Sequence, residues 1–491
     1  MAANRLKRAS VPLGLALLVG AAALASGPST FDAVDGAELS LAGSRLEIAH
    51  PPGHPLLLML LRVWPATSYA GQRLLTSLIA GIAAAALYGA LRSFRLSAWA
   101  SAAASILVSL SPPVLGQLNL LEIHGLSLLL CSLAVMYRRT PAGGYALGLA
   151  IFGGHPIAVC LAPLVLPRRA VEWKWMTLAA LPATLLLYVP LRASDASLLH
   201  YAKPETFSQW FGYLGMYQGK LAGPGPGRLW ELLSALGPAV AGAVAILLIA
   251  GRPRSWRVPA AAVIALLFMI SYDVRDLPAY WWLALLALSP WIASGIQNLT
   301  LAVSSRLPVA LLVAAAAASG LIGAWRADDR AAWTAARDMM RGAGIQGIYC
   351  TVGHQTFYAA YLIGEDDVRP DLLAADLYGN IFGLRVFDPQ AAHLPDSIGG
   401  RVVYATRAWS TLPLHGLLFT VEDPGLDWSR YEVFESSLES PDPLARDQLA
   451  ECWLRRGAGS EGQARERAFA VAESLASTSE TRERVDVLRR R

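Results

Sequence analysis

The chain contains a succession of apolar runs, each about as long as a lipid bilayer is thick. A helix needs roughly 20 mostly apolar residues to cross the hydrocarbon core of a membrane. Only 16% of the 491 residues are charged, against about 25% in a typical soluble domain, and the mean hydropathy is +0.42. We therefore expect residues 1–325 to form a polytopic helical membrane domain. Its predicted spans are residues 11–27, 71–91, 98–115, 122–137, 174–191, 234–251, 257–272, 278–297 and 307–325.

The basic residues between these runs predict the orientation of the chain. Lysine and arginine collect in cytoplasmic loops because they are unfavourable to translocate. The net charge of +5 and the pI near 9.0 therefore do not indicate a nucleic-acid-binding protein. The distribution predicts a cytoplasmic N-terminus, with the loops 28–54 and 192–232 and the tail from residue 326 on the other side. The first run also fits a secretory signal peptide, although so many later spans favour an uncleaved helix.

One region breaks the alternation of inside and outside loops. Basic residues stand at both ends of 143–166, so a single crossing would put one basic end outside. The Gly153-Gly154-His155-Pro156 sequence in its middle predicts two half-helices, 143–153 and 156–166, that enter from the cytoplasm and return. Irregular backbone of this kind is stable in a membrane only against protein or a wet cavity.

Two segments predicted outside have features of the membrane surface. Residues 55–64 are apolar but too short to span, so we expect an interfacial helix there. The glycines and prolines of 223–227 predict a hinge or the base of a lid. The loop before them contains aromatic residues of the kind that settle among lipid headgroups, namely Trp210, Phe211, Tyr213 and Tyr217.

Residues 326–491 lack runs of spanning length and predict a small exported domain. An α/β domain that ends in helices fits the pattern, so the fold class is mostly α with a small α/β C-terminal domain. Four cysteines occur without metal-ligand spacing, and Cys350 and Cys452 are free to pair in an exported tail. The predicted elements are strands at 345–352 and 372–377 and helices at 356–362, 443–456 and 464–488.

The acidic residues after the first apolar run are the strongest candidates for chemistry. Asp35 and Glu38 are three residues apart, so one helical turn would bring both carboxylates to one face. A carboxylate near the membrane surface can act as a general base on an incoming hydroxyl. Prolines stiffen the following segment and hold His50 and His54 nearby. The alternative interpretation is an ordinary acidic loop with a proline-rich turn, and the spacing does not exclude it.

These residues resemble a known family. Asp35-Gly-Ala-Glu38, followed by Leu46-Glu-Ile-Ala-His-Pro-Pro-Gly-His-Pro-Leu56, is similar to the first loop of bacterial proteins of a protein O-mannosyltransferase-like family within the GT-C superfamily of membrane glycosyltransferases. The specific part is the block of His50, Pro51 and Pro52; His54 stands where an aromatic residue is common. Weaker matches follow in the same order at Glu122-Ile123-His124, Gly148 to His155, Tyr188 to Arg192, Asp276 to Tyr280 and Arg369-Pro370-Asp371.

The resemblance implies a GT-C-like fold and an inverting displacement at the anomeric carbon of a sugar carried on a polyprenyl phosphate. Asp35 is the expected general base, with Glu38 or Asp32 as the alternative. A cation must neutralise the departing phosphate, and arginine suits bidentate phosphate contacts. Arg192 emerges at the outer end of a predicted span and is the candidate for this role. Its alternative role is simple snorkelling to lipid headgroups.

Other polar residues are weaker candidates. Glu122 starts a predicted span, so a favourable helix-dipole contact competes with a cavity-facing role. His155 lies at the apex of the predicted half-helices, where a packed core histidine is the alternative. No cofactor is implied, and the spacing neither requires nor excludes a divalent metal. The candidates for donor or acceptor binding are His50, Pro51, Pro52, His54, Glu122, His155, Arg192 and Asp276.

The leading hypothesis is a glycosyltransferase of the bacterial inner membrane. It would move mannose or another hexose from a polyprenyl phosphate to a hydroxyl of an exported protein or of an envelope glycan or lipid. A flippase for lipid-linked substrates is a second class, but transporters often carry matched breaks in two halves and this chain shows one. A non-enzymatic assembly protein is a third, and it leaves the clustered carboxylates unexplained. The sequence identifies neither the sugar nor the acceptor.

Overall fold

The structure is a computed structural model in which helices dominate. It describes residues 2–33, 35–166, 173–195, 199, 201, 204–215, 226–253, 255–272, 274, 277–351, 354–376, 397–398, 401–406, 414–415, 418–420, 429, 431–434, 440 and 442–490. The helices up to residue 192 are α1 (Ala2–Ser26), α2 (Gly36–Arg45), α3 (Pro55–Val63), α4 (Tyr69–Arg92), α5 (Ala98–Ser109), α6 (Pro112–Leu118), α7 (His124–Met136), α8 (Pro141–Leu149), α9 (Ala162–Val165), α10 (Trp173–Met176) and α11 (Tyr188–Arg192). The later ones are α12 (Phe207–Gly215), α13 (Pro226–Ala250), α14 (Arg257–Ser271), α15 (Trp281–Ala302), α16 (Leu307–Gly323), α17 (Ala331–Arg341), α18 (His354–Gly364), α19 (Pro443–Ala458), α20 (Gly462–Leu475) and α21 (Ser479–Arg490).

The membrane domain contains both long continuous helices and interrupted ones. Four helices of the described residues are long and apolar enough to cross a membrane: Ala9–Ser26 in α1, all of α4, Gly227–Ala250 in α13, and Leu277–Ala302, which includes α15. Shorter apolar helices of 10–17 residues account for other predicted spans. The chain is therefore a multi-pass membrane protein, as predicted. Its irregular helices are a π-helix at Ala150–Gly154 and 3-10 helices at Pro156–Leu161, Thr177–Leu187, Leu277–Tyr280 and Glu432–Phe434.

The predicted span at 98–115 is interrupted by a bend in the structure. α5 ends at Ser109 and α6 begins at Pro112, and the two helices are bent by 73°. Ser111 has an extended backbone, with ψ of 146°, because a residue before proline avoids the helical region. Counted together as one broken span, this pair raises the number of possible crossings among the described residues to five.

The segment after α7 folds back on itself, as its basic flanks predicted. α8 continues into the π-helix, and an extended His155 then interrupts the helix before Pro156. A 3-10 helix and α9 lead the chain back. The two ends meet, because Arg138 before α8 and Leu166 after α9 line one cavity. Phe94 and Arg257 line it too, so segments whose basic residues predict a cytoplasmic location gather at one end of the membrane domain.

The start of the first loop is fixed by a buried arginine. α1 and α4 cross so closely that a Cβ at Gly81 would lie 2.3 Å from the Ala16 carbonyl oxygen. About two turns from this crossing, Arg73 of α4 is only 4% exposed. A guanidinium has five N–H donors, and here each one has a carbonyl acceptor. The acceptors belong to Ala23, Leu24, Gly27, Pro28 and Asn119.

The C-terminal part contains a sheet flanked by helices. Its strands are β1 (Ile348–Thr351), β2 (Leu373–Asp376), β3 (Ser397–Ile398), β4 (Arg401–Ala405), β5 (Leu414–His415) and β6 (Leu418–Phe419). The described strands lie in the order β2-β1-β4-β6-β5, with β3 beside β4. β1 is parallel to β2, and α18 makes the crossover that a parallel pair needs. The predicted strands at 345–352 and 372–377 and the predicted helices at 356–362 and 443–456 are confirmed. The predicted helix at 464–488 is instead divided into α20 and α21, and the buried Cys350 and Cys452 are not joined by a disulfide.

Candidate functional site

α2 brings the two acidic residues of the first loop together. The helix begins at Gly36, and the N–H of Leu39 donates to the carbonyl of Asp35 at 2.8 Å. Glu38 lies in the first turn, where the helix N-terminus favours a negative charge. The Glu38 side chain is completely buried, whereas that of Asp35 is 21% exposed. A Cβ at Gly36 would lie 2.3 Å from an Asp32 carboxylate oxygen, which explains the glycine between them.

His50 connects the two carboxylates. Its Nδ1 lies 2.8 Å from Glu38 Oε2, and its backbone N–H donates to Glu38 Oε1 at 2.5 Å. The other ring nitrogen, Nε2, lies 3.6 Å from Asp35 Oδ2. Burial raises the pKa of Glu38 above its ordinary value, although His50 acts to lower it. Glu38 therefore orients the His50 ring, and the ring faces Asp35.

Asp35 is a carboxylate with two imidazole neighbours and open space. His50 approaches Oδ2, and Nδ1 of His354 lies 3.9 Å from Oδ1. Both distances exceed hydrogen-bonding range, and among the described residues this carboxylate accepts no hydrogen bond. Burial acts to raise the pKa of Asp35, but His50, His354 and His54 outweigh it and lower the pKa. Asp35 is therefore ionised at neutral pH and free to accept a proton from a ligand.

The His-Pro-Pro-Gly-His segment forms the floor beside these carboxylates. Pro51 and Pro52 are buried and joined by a cis peptide bond. Gly53 has φ of +87°, and a Cβ there would lie 2.9 Å from the Tyr213 hydroxyl, so only glycine fits. That hydroxyl donates to the Ala49 carbonyl at 2.7 Å. α12, in the predicted surface loop, thus contacts this segment directly.

A row of buried histidines continues from His50 into the membrane domain. His54 Nε2 lies 3.4 Å from His50 Nε2, and burial together with His50 lowers the pKa of His54 to about 3. His155 lies at the apex of the folded-back segment, 6.1 Å from His124 between ring centroids. Nδ1 of His124 accepts a hydrogen bond from the Trp282 indole at 3.0 Å. The His155 ring sits among aromatic neighbours, and its part in binding stays a prediction.

Asp32 and Arg192 have different surroundings from those expected. Asp32 is buried and accepts a hydrogen bond from the Tyr69 hydroxyl at 2.8 Å, which suits a structural role better than that of a base. Arg192 donates to the Leu46 carbonyl at 2.8 Å and pairs with Asp195 at 3.1 Å. Leu46 follows α2 at the end opposite Asp35. Arg192 therefore braces the far end of this helix, a contact that its place in the sequence did not reveal.

The remaining candidates from the sequence are Glu122, which the structure describes, and Asp276. Glu122 is 5% exposed and lines a narrow gap beside Leu57, Thr76 and Gln117. It lies just before α7, as its position at the start of a predicted span required. Asp276 lies outside the described residues.

The sequence interpretation missed the contribution of α18. The ring of Tyr358 stacks on Phe31 with centroids 5.0 Å apart, and its hydroxyl donates to the Ala33 carbonyl at 2.5 Å. At the far end of the helix, the guanidinium of Arg45 lies 3.2 Å from Glu365. His354, at the start of α18, reaches Asp35. The predicted strand at 345–352 was the feature of the sequence that could have pointed to His354, because functional residues often follow the carboxyl end of a parallel strand.

The donor set at the site is compatible with a divalent cation. One ligand atom from each of Asp35, Glu38 and His50 lies within 4.8 Å of the others. Carboxylate and imidazole donors suit several divalent metals. A metal here would replace the short contact between His50 and Glu38. The same three side chains can also transfer protons in the arrangement that the structure shows, without a metal.

Comparisons with known proteins give one structural similarity to report. No protein-family model matches the chain, and no curated protein matches it. The fold is similar to the crystal structure of ArnT from Cupriavidus metallidurans in the apo state, with a TM-score of 0.46 and 14% sequence identity. The alignment covers 79% of this chain and 94% of that chain.

Proposed function

We propose that this chain is a GT-C-like membrane glycosyltransferase that uses a polyprenyl phosphate-linked hexose and transfers it to a hydroxyl acceptor on the non-cytoplasmic face. The observation that carries the proposal is Asp35, an ionised carboxylate without a hydrogen-bond partner among the described residues. It stands between two imidazoles, next to apolar helices that cross a membrane. The first-loop resemblance to protein O-mannosyltransferase-like proteins supports the same chemistry.

The proposed reaction is a single displacement. The acceptor oxygen forms a bond to the anomeric carbon as the bond from that carbon to the phosphate oxygen breaks. The electron pair of the broken bond leaves on the polyprenyl phosphate, and the acceptor proton passes to Asp35. General base catalysis of this kind typically contributes about 10²–10⁴-fold to the rate. The lipid tail of the donor stays in the bilayer while its sugar enters the polar site.

Glu38 and His50 have supporting roles in this mechanism. Glu38 is buried and bonded to both the ring and the backbone N–H of His50. It therefore fixes the ring that faces Asp35, as a second carboxylate often does for a functional histidine. Mannose is the proposed sugar, and an exported protein serine or threonine is the proposed acceptor. An envelope glycan or lipid is the alternative acceptor.

The test is transfer of sugar in proteoliposomes supplied with polyprenyl phosphate-[14C]mannose and the corresponding glucose donor. We expect labelled acceptor with the wild-type protein and none above background with Asp35→Asn. Wild-type protein that redistributes donor between leaflets without any transfer, or an Asp35→Asn variant as active as wild type, would overturn the proposal. Mass spectrometry of exported proteins and envelope glycans, with and without the chain, identifies the acceptor.

A further inference from the structure

We propose that His354, supplied by the C-terminal domain, is a positioning residue for Asp35, so that the active site is assembled from both domains of the chain. This inference rests on the proposed function. His354 begins α18, which follows β1 of the C-terminal sheet. Its Nδ1 is buried, has no hydrogen-bond partner among the described residues and lies 3.9 Å from Asp35 Oδ1.

The docking of α18 does not depend on His354. Its anchors lie further along the helix, where Tyr358 bonds to the Ala33 carbonyl and stacks on Phe31. The hydroxyl of Tyr361 accepts a hydrogen bond from the Tyr69 N–H at 3.3 Å. Among the described residues, the ring contact of His354 is an edge contact with Phe357, at 6.1 Å between centroids. This ring contact contributes little to the docking of α18, and the buried Nδ1 faces Asp35.

The geometry gives this nitrogen a specific task. His50 faces Oδ2 of Asp35 and His354 faces Oδ1, so the two rings limit rotation of the carboxylate about its χ2 angle. A carboxylate held in one orientation presents a fixed lone pair to the acceptor hydroxyl. Misplacing a reacting group by about 1 Å can cost roughly 100-fold in rate. A movement of this size closes the 3.9 Å gap to hydrogen-bonding distance.

The His354 side chain is 39% exposed, so a small molecule can enter the space it leaves. We expect His354→Ala to lower kcat by about 10–100-fold with little change in the KM for the donor. Excess imidazole in the buffer should restore part of this loss, which a purely structural defect would not allow. Asn presents an amide N–H near the position of Nδ1, whereas Gln mimics Nε2. His354→Asn should therefore be more active than His354→Gln.

The matched control is Gln355→Ala, which shortens the neighbouring side chain of the same helix and should keep wild-type kcat and wild-type insensitivity to imidazole. Wild-type kcat in His354→Ala, or equal loss in both alanine variants without rescue, would overturn the inference. Either of these results is compatible with the proposed function if Asp35→Asn is inactive. Absence of transfer by the wild-type protein instead rejects the proposed function itself.

Discussion

Two buried polar clusters flank the beginning of the first loop, and they differ in how completely their groups are paired. Arg73 has five donors and five carbonyl acceptors. The Asp35 carboxylate accepts no hydrogen bond among the described residues, although two imidazoles stand within 4 Å. Buried polar groups are normally paired because an unpaired one costs about 1–3 kcal/mol. The fully paired cluster around Arg73 stabilises the fold. The cluster around Asp35 keeps a carboxylate that can accept a hydrogen bond or a proton from a ligand.

The largest expected effect on activity is that of replacing Asp35, which we assign to catalysis and not to stability. Asp35→Asn removes the base but breaks no hydrogen bond, so we expect transfer activity to fall by about 10²–10⁴-fold. The thermal unfolding temperature in detergent should stay near the wild-type value. A marked loss of stability with proportionate loss of activity would mean that Asp35 belongs with the structural cluster.

Replacing Arg73 should lower the stability of the protein and leave its activity nearly unchanged. Arg73→Met leaves the five carbonyls without their donor in a buried place, which we expect to destabilise the protein by about 3–5 kcal/mol. Yield after membrane extraction and unfolding in increasing denaturant measure this. Activity per folded molecule should remain within a few-fold of wild type. Asn119→Ala is a milder change beside this cluster, because it keeps the backbone carbonyl that Arg73 uses and removes the amide bonds to Ser26 and Ala324. A fully stable Arg73→Met protein would contradict the assignment.

The pH dependence of stability tests His54, which adjoins the cluster around Asp35. Its folded-state pKa of about 3 lies below its ordinary value of 6.5, so the unfolded state binds more protons between these limits. The stability from neutral His54 is complete above pH 6.5 and is lost as the pH falls toward 3. We expect about 1.4 kcal/mol less stability per pH unit below pH 6.5.

His54→Phe should remove this slope, because phenylalanine does not titrate. Unfolding curves of both proteins at pH 7.5 and pH 5.5 provide the measurement. Parallel loss of stability in the two proteins would show that other groups cause the acid sensitivity.

The smallest effect concerns the contact between the domains. Tyr358→Phe keeps the stacking on Phe31 but removes the hydrogen bond to the Ala33 carbonyl. We expect a loss of about 1 kcal/mol in stability and a modest fall in kcat, because residues 31–33 lead directly to Asp35. A differential unfolding measurement and initial rates at saturating donor would detect both. Unchanged values for both would show that the stacked rings and the contacts of Tyr361 and Arg45 hold α18 without this hydrogen bond.

Much of the architecture was readable from the sequence because its causes are local. Apolar runs and basic flanks predicted the spans and the return of the chain at 143–166. Acidic spacing in the first loop predicted that Asp35 and Glu38 would lie together. Ser111 shows the limit of hydropathy, because an apolar window does not register the turn that the following proline imposes.

The missing parts depend on contacts between distant segments. His354 looked like an ordinary residue after a strand, and only the tertiary structure brings it to the first loop. Arg192 was a candidate for a phosphate contact or for snorkelling because it ends a predicted span, and the structure adds a bond to the Leu46 carbonyl, where the backbone turns left-handed. No periodicity or composition predicts such a partner. The sidedness of the tail and the roles assigned to Glu122 and Asp276 stay predictions.

The bond between Arg45 and the Gly364 carbonyl joins groups 319 residues apart, and this separation has a consequence for synthesis. A ribosome adding roughly 5–20 residues per second needs on the order of half a minute to pass from one to the other. During that interval the first loop has emerged, but the helix that completes its pocket has not been made. In the proposed mechanism a nascent chain therefore lacks the positioning residue His354, and a copy truncated before β1 lacks it permanently.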